Sequence, residues 1–161
     1  MADTSRFILF KHGAQKVMEE AKKVVARVDS GFKPHFNRGY GLFEKIRCID
    51  AEGVLLSMCT AASTAREVIE EYRKQGKNVG LYPLRRFRPF PGSELIRILG
   101  AVRRGAVLDR DKSLRAGGIV AQELKTALFQ TPRKARVFEF IAGLVGKDIT
   151  PETIQEVMEI T

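Results

Sequence analysis

Residues 53–82 read GVLLSMCTAASTAREVIEEYRKQGKNVGLY, and this stretch decides the fold. Gly53 to Met58 is a short, nearly continuous apolar run, as expected of a strand covered by helices on both faces. Ser63 to Gln75 places Ala65, Val68, Ile69 and Tyr72 on one helical face with charges between them, and Gly76 stands where a C-terminal cap belongs. Val79-Gly80-Leu81-Tyr82 is a second short apolar run. Strand, helix and strand in this order predict a parallel pair joined by a helical crossover.

Working outward, the rhythm repeats. Downstream, Ser93 caps a helix through Leu99, and Gly105-Ala106-Val107-Leu108-Asp109 is a third buried strand. Gly118 to Phe129 reads as a helix and Val137 to Ile141 as a strand. Thr150, with Pro151 at the first helical position and Glu152 in the first turn, opens a last helix reaching Ile160. Upstream, Leu42 to Ile49 is a weaker strand whose Glu44, Lys45 and Arg47 suit a sheet edge. Before it, Val17, Met18, Ala21, Val24, Val25 and Val28 recur at helical spacing from Gly13 to Val28. Gly31 closes that helix, and Lys33 to Gly41 reads as a loop. Alternation of this kind predicts an α/β fold, a mostly parallel sheet with helices on both faces.

With 161 residues the chain fits one domain with extensions. Its hydrophobic content of 44% and charged content of 29% are ordinary for a globular protein. The first ten residues hold only Phe7-Ile8-Leu9-Phe10 as an apolar stretch, and no run approaches the roughly 20 residues of a membrane span, so the expected location is the cytoplasm. Cys48 and Cys59 lie in separate apolar runs without CxxC spacing and read as buried, inert thiols. A net charge of +9 favours an acidic protein, nucleic acid or anionic cofactor as partner, or serves solubility alone.

Several chemistries find no support. The turn after Met58 lacks the glycines of a dinucleotide site, and no GxxxxGK[ST] loop occurs. The only histidines, His12 and His35, sit in the N-terminal extension, away from any strand end. Cys59 lies at a strand end before a helix, a position for either a reactive or a structural thiol. Asp109, Arg110, Asp111 and Lys112 form a charge-alternating turn, with too few convergent ligands for a metal. Leu84-Arg85-Arg86-Phe87-Arg88-Pro89-Phe90-Pro91 is a rigid cationic loop. It could present Arg85, Arg86 and Arg88 to phosphates with Phe87 or Phe90 stacking on a base. Alternatively, the phenylalanines plug the core and the arginines pair with neighbouring subunits.

That loop resembles the R-x-F-R-P-F-P segment of the α subunits of pyruvate and related 2-oxoacid:ferredoxin oxidoreductases. Four further pieces follow the family's order: Cys59 to Ala65 is similar to its G-S-x-x-x-T-A turn, Val107 to Asp111 to its V-L-D-R-x strand end, Ala116-Gly117-Gly118 to the next glycine pair, and Phe140 to Pro151 to its I-x-G-L-G-G-R-D-x-T segment. The likeness covers roughly Gln15 to Ile160. Cys59 departs from the turn's usual glycine, Arg86 from a usually apolar position, and Val145 from the first glycine of the last pair.

The resemblance implies a transketolase C-terminal-like domain, a three-layer α/β/α sandwich on a five-stranded, mostly parallel sheet with one antiparallel edge strand. Residues 42–161 would form it, and 1–41 an N-terminal helix and linker. It implies a structural, subunit-packing role in conversion of a 2-oxoacid and CoA to acyl-CoA, CO2 and reduced ferredoxin. No catalytic, cofactor or metal residue carries over. Thiamine diphosphate, magnesium, iron–sulfur clusters and CoA are expected in the parent complex, and the partners are its other domains or subunits rather than membrane or nucleic acid. Arg85, Arg86, Arg88, Asp109, Arg110, Lys112, Lys147 and Asp148 are the expected partner-facing residues. The alternative is a stand-alone basic module for nucleic acid or another anionic partner.

Overall fold

The strand β1 (Gly53–Met58) lies inside a parallel sheet, between β2 (Val79–Leu84) and β3 (Arg104–Asp109), with β4 (Arg136–Ile141) beyond β3. The computed structural model of the chain describes residues 4–41, 43–129, 131 and 135–161. Helices α2 (Cys59–Lys74), α3 (Gly92–Leu99), α4 (Ile119–Leu128) and α5 (Pro151–Ile160) cover the sheet, and a long α1 (Thr4–Phe36) precedes it.

Two-sided burial explains the unbroken apolar strands. Leu55, Leu81, Ala106 and Leu108 pack with Ala65, Ile69, Ile154 and Val157 of α2 and α5. The alternate residues Val54, Leu56, Tyr82 and Val107 pack with Leu95, Leu99, Val120 and Leu124 of α3 and α4. Three layers result, as the sequence implied.

The antiparallel edge is present in reduced form. Phe43 bridges Leu84 and Ile46 bridges Leu81, and the amides of Ile46 and Leu81 exchange bonds of 3.0 and 2.9 Å with each other's carbonyls. Among the described residues no continuous fifth strand forms, and Arg47, in the left-handed region at φ 54°, ends the pairing. Leu42, with which this strand and the domain were expected to begin, lies outside the described residues. Arg73 of α2 fastens the segment, donating to the Arg47 and Val79 carbonyls and to Asp50.

Three local expectations are corrected. The first helix does not stop at Gly31 but runs to Phe36 through Pro34, so half of the expected loop is helical. Ser93 does not cap α3: Pro91 holds the N-cap position and the Ser93 hydroxyl donates to Glu94. Cys59 is exposed at the start of α2, whereas Cys48 is half-buried with its thiol on the Ile46 and Leu81 carbonyls. The last helix starts as read, with Pro151 in its first turn and the Thr150 hydroxyl accepting from the Thr153 amide. No described helix is long and apolar enough to cross a membrane.

Candidate functional site: the carboxyl-terminal edge of the sheet

The order β2-β1-β3-β4 reverses direction at β1, and the helices that follow β1 and β3 leave on opposite faces, which opens a crevice at the carboxyl ends of these two strands. A largely apolar cleft of about 380 Å³ lies there, lined by Met58, Phe87, Leu108 and Ile119, with Cys59 and Arg110 at its margin. Both segments singled out in the sequence, the arginine loop and the charged turn after β3, converge on this edge.

The turn after β3 is built around its glycines. Asp109 is only 3% exposed and accepts from the Val120 and Ala121 amides at 3.2 and 3.0 Å, so it caps α4. Asp111 accepts from the Ile119 amide. Glu139 of β4 reaches across to accept from the Gly118 amide at 2.6 Å and pairs with Lys125. Burial pushes the Asp109 carboxyl up, against the pull of the two amides. Burial would also raise Glu139, but Lys125 and the Gly118 amide hold it below the usual range. Only glycine fits between these acids: a Cβ on Gly118 would sit 2.1 Å from an Asp109 oxygen, and one on Gly117, at φ +83°, 1.9 Å from Glu139.

The arginine loop is tied to its own chain. Arg85 donates to Glu44 at 2.7 Å, Arg66 shares that carboxylate at 3.0 Å, and the Arg85 guanidinium lies 4.9 Å from the centre of the Tyr40 ring. Burial raises Glu44, yet the two guanidinium partners bring it below the usual range. Arg88 reaches Glu123 at 2.5 Å and lies 4.1 Å above the Phe87 ring. Arg86 helps hold Asp29 of α1 low, after the stronger pull of the Tyr40 and Gly41 amides. Phe87 and Phe90 meet edge to face and both pack against the α3/α4 core, which supports the plug reading of the loop.

Of the residues read as partner-facing, the structure gathers Arg85, Arg86, Arg88, Asp109 and Arg110 at one edge. Arg110 donates to the Thr60 hydroxyl at 3.1 Å and to the Gly143 carbonyl at 3.5 Å, which joins three turns. Lys112 is exposed on the same turn, and Lys147 and Asp148 are exposed after the short helical turn Leu144–Gly146. Asp109 is corrected from a surface contact to a buried cap. The sequence reading missed Tyr40, Glu44, Glu123 and Glu139. Glu44 carried a signal, an acid on an otherwise cationic edge segment, but the other three are separated from their partners by most of a βα unit. His12 and His35 lie on α1, and no group of three or more His, Cys, Asp or Glu side chains among the described residues could hold a metal.

Two of the three departures from the glycine-bearing motifs gain a physical meaning here. Cys59 and Val145 both adopt φ 54°, the left-handed conformation that glycine enters without a clash and a β-branched residue resists. Val145→Gly is therefore expected to stabilise the fold by about 1 kcal/mol, with Cys59→Gly smaller because it starts a helix. Urea midpoints check this, and a destabilised Val145→Gly would contradict it.

Residues 51–154 match the family described as pyruvate:ferredoxin oxidoreductase core domain II. The pyruvate synthase subunit PorA of Methanothermobacter thermautotrophicus is 38% identical over 159 residues, covering 99% of this chain and 40% of the relative. The ketoisovalerate oxidoreductase subunit VorA of Pyrococcus abyssi is 36% identical with the same coverage. The chain thus spans about two fifths of the length of the curated relatives it matches. Among solved structures, a 2-oxoglutarate:ferredoxin oxidoreductase from Magnetococcus marinus, with 2-oxoglutarate, coenzyme A and succinyl-CoA bound, is similar in fold, with a TM-score of 0.53 at 16% identity over 74% of this chain and 20% of that one. On the strength of the match that spans its sandwich from before β1 into α5, the chain belongs to the pyruvate:ferredoxin oxidoreductase core domain II family.

Proposed function

We propose that this chain is the non-catalytic packing domain of a thiamine-diphosphate-dependent 2-oxoacid:ferredoxin oxidoreductase, which converts a 2-oxoacid and CoA to acyl-CoA and CO2 and reduces ferredoxin. The family match across the sandwich carries this reading. The chemistry of the edge supports it. An iron–sulfur cluster needs several convergent thiolates, whereas the chain has two cysteines, one half-buried on backbone carbonyls and one exposed at the start of α2. The acids nearest the crevice, Asp109 and Asp111, already hold the first amides of α4, and Glu139 holds Gly118 and Lys125, so they do not fit a magnesium site. Thiamine diphosphate, magnesium, iron–sulfur clusters and CoA then belong to other domains or subunits of the complex, which are this chain's partners.

Residues 1–41 form the extension and 42–161 the packing domain in this proposal. The exposed parts of Arg85, Arg86, Arg88, Arg110, Lys112, Lys147 and Asp148 face neighbouring subunits. A phosphate-binding role is less favoured, since Arg85 and Arg88 are already engaged by Glu44 and Glu123. Paired reversal, Arg85→Glu with Arg88→Glu, tests the interface. The two ion pairs are surface pairs worth about 0–1 kcal/mol each, so the variant should keep most of its stability. Assembly with the oxidoreductase chains should weaken at least about tenfold. Unchanged assembly would remove the loop from the interface, and salt-sensitive binding of single-stranded RNA or DNA by the native chain would favour the nucleic-acid alternative.

A further inference from the structure

α1 carries a long apolar stripe that no helix or strand of the sandwich packs along. Phe10, Ala14, Val17, Ala21, Val24 and Val28 are spaced alternately four and three residues apart, and Met18 and Val25 widen the same face. Phe10 is 72% exposed, Val17 65% and Val28 59%. At about 1.5 Å per residue this helix of 33 residues is about 50 Å long. Among the described residues its attachments gather at its end: Asp29 accepts from the Tyr40 amide, and Phe32 lies against the Tyr40 ring. A stripe of this length left in water would be unusual for a soluble domain.

We propose that this stripe seats α1 in a helix-walled groove with an acidic rim on the thiamine-binding part of the same oxidoreductase, so that α1 is the main tether between the packing domain and the catalytic body. The inference rests on the function proposed above. Three observations select this occupant. The alternating spacing is the period of helix-on-helix packing, and the alanines and valines at its centre let another helix approach closely. The helix carries seven lysines and arginines against three acids. That excess favours an acidic partner and opposes pairing of two copies. Finally, the alignment with the Methanothermobacter relative runs through α1, covering 99% of this chain, while accounting for only 40% of the relative. The segment that forms α1 is therefore shared in sequence with a chain that carries much more protein. A bilayer surface fits less well, since the middle of the stripe lacks the large Trp, Phe and Leu side chains that anchor interfacial helices.

Hydrogen exchange on the native complex and on the isolated chain tests the proposal. In the complex with the thiamine-dependent chains, amides 14–28 should exchange at least about tenfold more slowly than in the isolated chain. Val17→Asp should weaken assembly at least about tenfold while the melting temperature of the α/β domain stays unchanged. Lys11→Glu with Lys22→Glu, which leaves the apolar face intact, should weaken assembly in a salt-dependent way. Exchange of 14–28 that is equally fast in the complex would overturn the proposal and leave the functional assignment standing. Protection that instead follows the concentration of the isolated chain, or the addition of phosphatidylserine vesicles, would also overturn it, in favour of a second copy or a membrane. A native preparation without thiamine-dependent chains would overturn both readings.

Discussion

Gly118→Ala is expected to lower the stability of the fold by about 3 kcal/mol or more. The added Cβ would lie 2.1 Å from the Asp109 Oδ2 and 2.4 Å from its Cγ. Asp109 has little room to retreat, since it is 3% exposed and both its oxygens hold amides of α4. The neighbouring Gly118 amide is fixed by Glu139, so the turn cannot slide either. Relief requires breaking the cap, which leaves two amides and a carboxylate poorly paired at the base of the crevice. Urea denaturation measures the loss, and amide exchange at 118–121 should accelerate before the rest of the sheet. A change below about 1 kcal/mol would show that the turn is softer than its packing indicates.

Leu55→Ala should have a comparable effect by a different route. Leu55 is fully buried in an interior strand of the sheet, with α2 and α5 packed over it. Truncation removes apolar contact and leaves a cavity that the paired strands on both sides, β2 and β3, prevent from collapsing. Substitutions of this kind cost about 2–5 kcal/mol, and a rigid sheet interior puts Leu55 in the upper half of that range. The urea midpoint should fall without a change in slope. A loss under about 1.5 kcal/mol would mean that the core layer repacks around the gap.

The sandwich was legible because its strands are short apolar runs separated by helices whose buried faces repeat at helical spacing. Val54 to Met58 is a short apolar run bounded by Gly53, too short for a helix, whereas Ala65 to Tyr72 repeats at helical spacing, so length and flanks separate the strand from the helix where period alone does not. The family likeness added what periodicity lacks, the antiparallel edge, and even there the charged residues Glu44, Lys45 and Arg47 anticipated a poorly paired segment. The α1 terminus was misread because Gly31 and Pro34 are local stop signals, while the bonds that fix the end of the helix, from Asp29 to Tyr40, involve residues 11 apart. Ser93 was misread for a similar reason: its hydroxyl is drawn to the adjacent Glu94.

At the site, the sequence singled out the loops that meet at the sheet edge but not the partners their charges find within the chain. Asp109 looks like a surface acid in a run of alternating charges, and only its bonds to the Val120 and Ala121 amides and the close approach of Gly118 show that it points inward onto α4. Arg85 and Arg88 look free because Glu44 lies 41 residues and Glu123 35 residues away along the chain. Periodicity is blind to such contacts. Among the described residues, the apolar face of α1 and the basic rim of the sheet edge stay exposed after these pairings, and these are the surfaces that the proposed packing role uses.

Purification of the native chain under mild conditions, with every co-purifying chain identified and the preparation assayed for 2-oxoacid- and CoA-dependent ferredoxin reduction, tests this assignment most directly. The chain should come down in stable stoichiometry with chains that bind thiamine diphosphate and iron–sulfur clusters, and the isolated chain should show neither the activity nor thiamine diphosphate binding. A native chain found without any thiamine-dependent partner, or an isolated chain that binds thiamine diphosphate by itself, would contradict it.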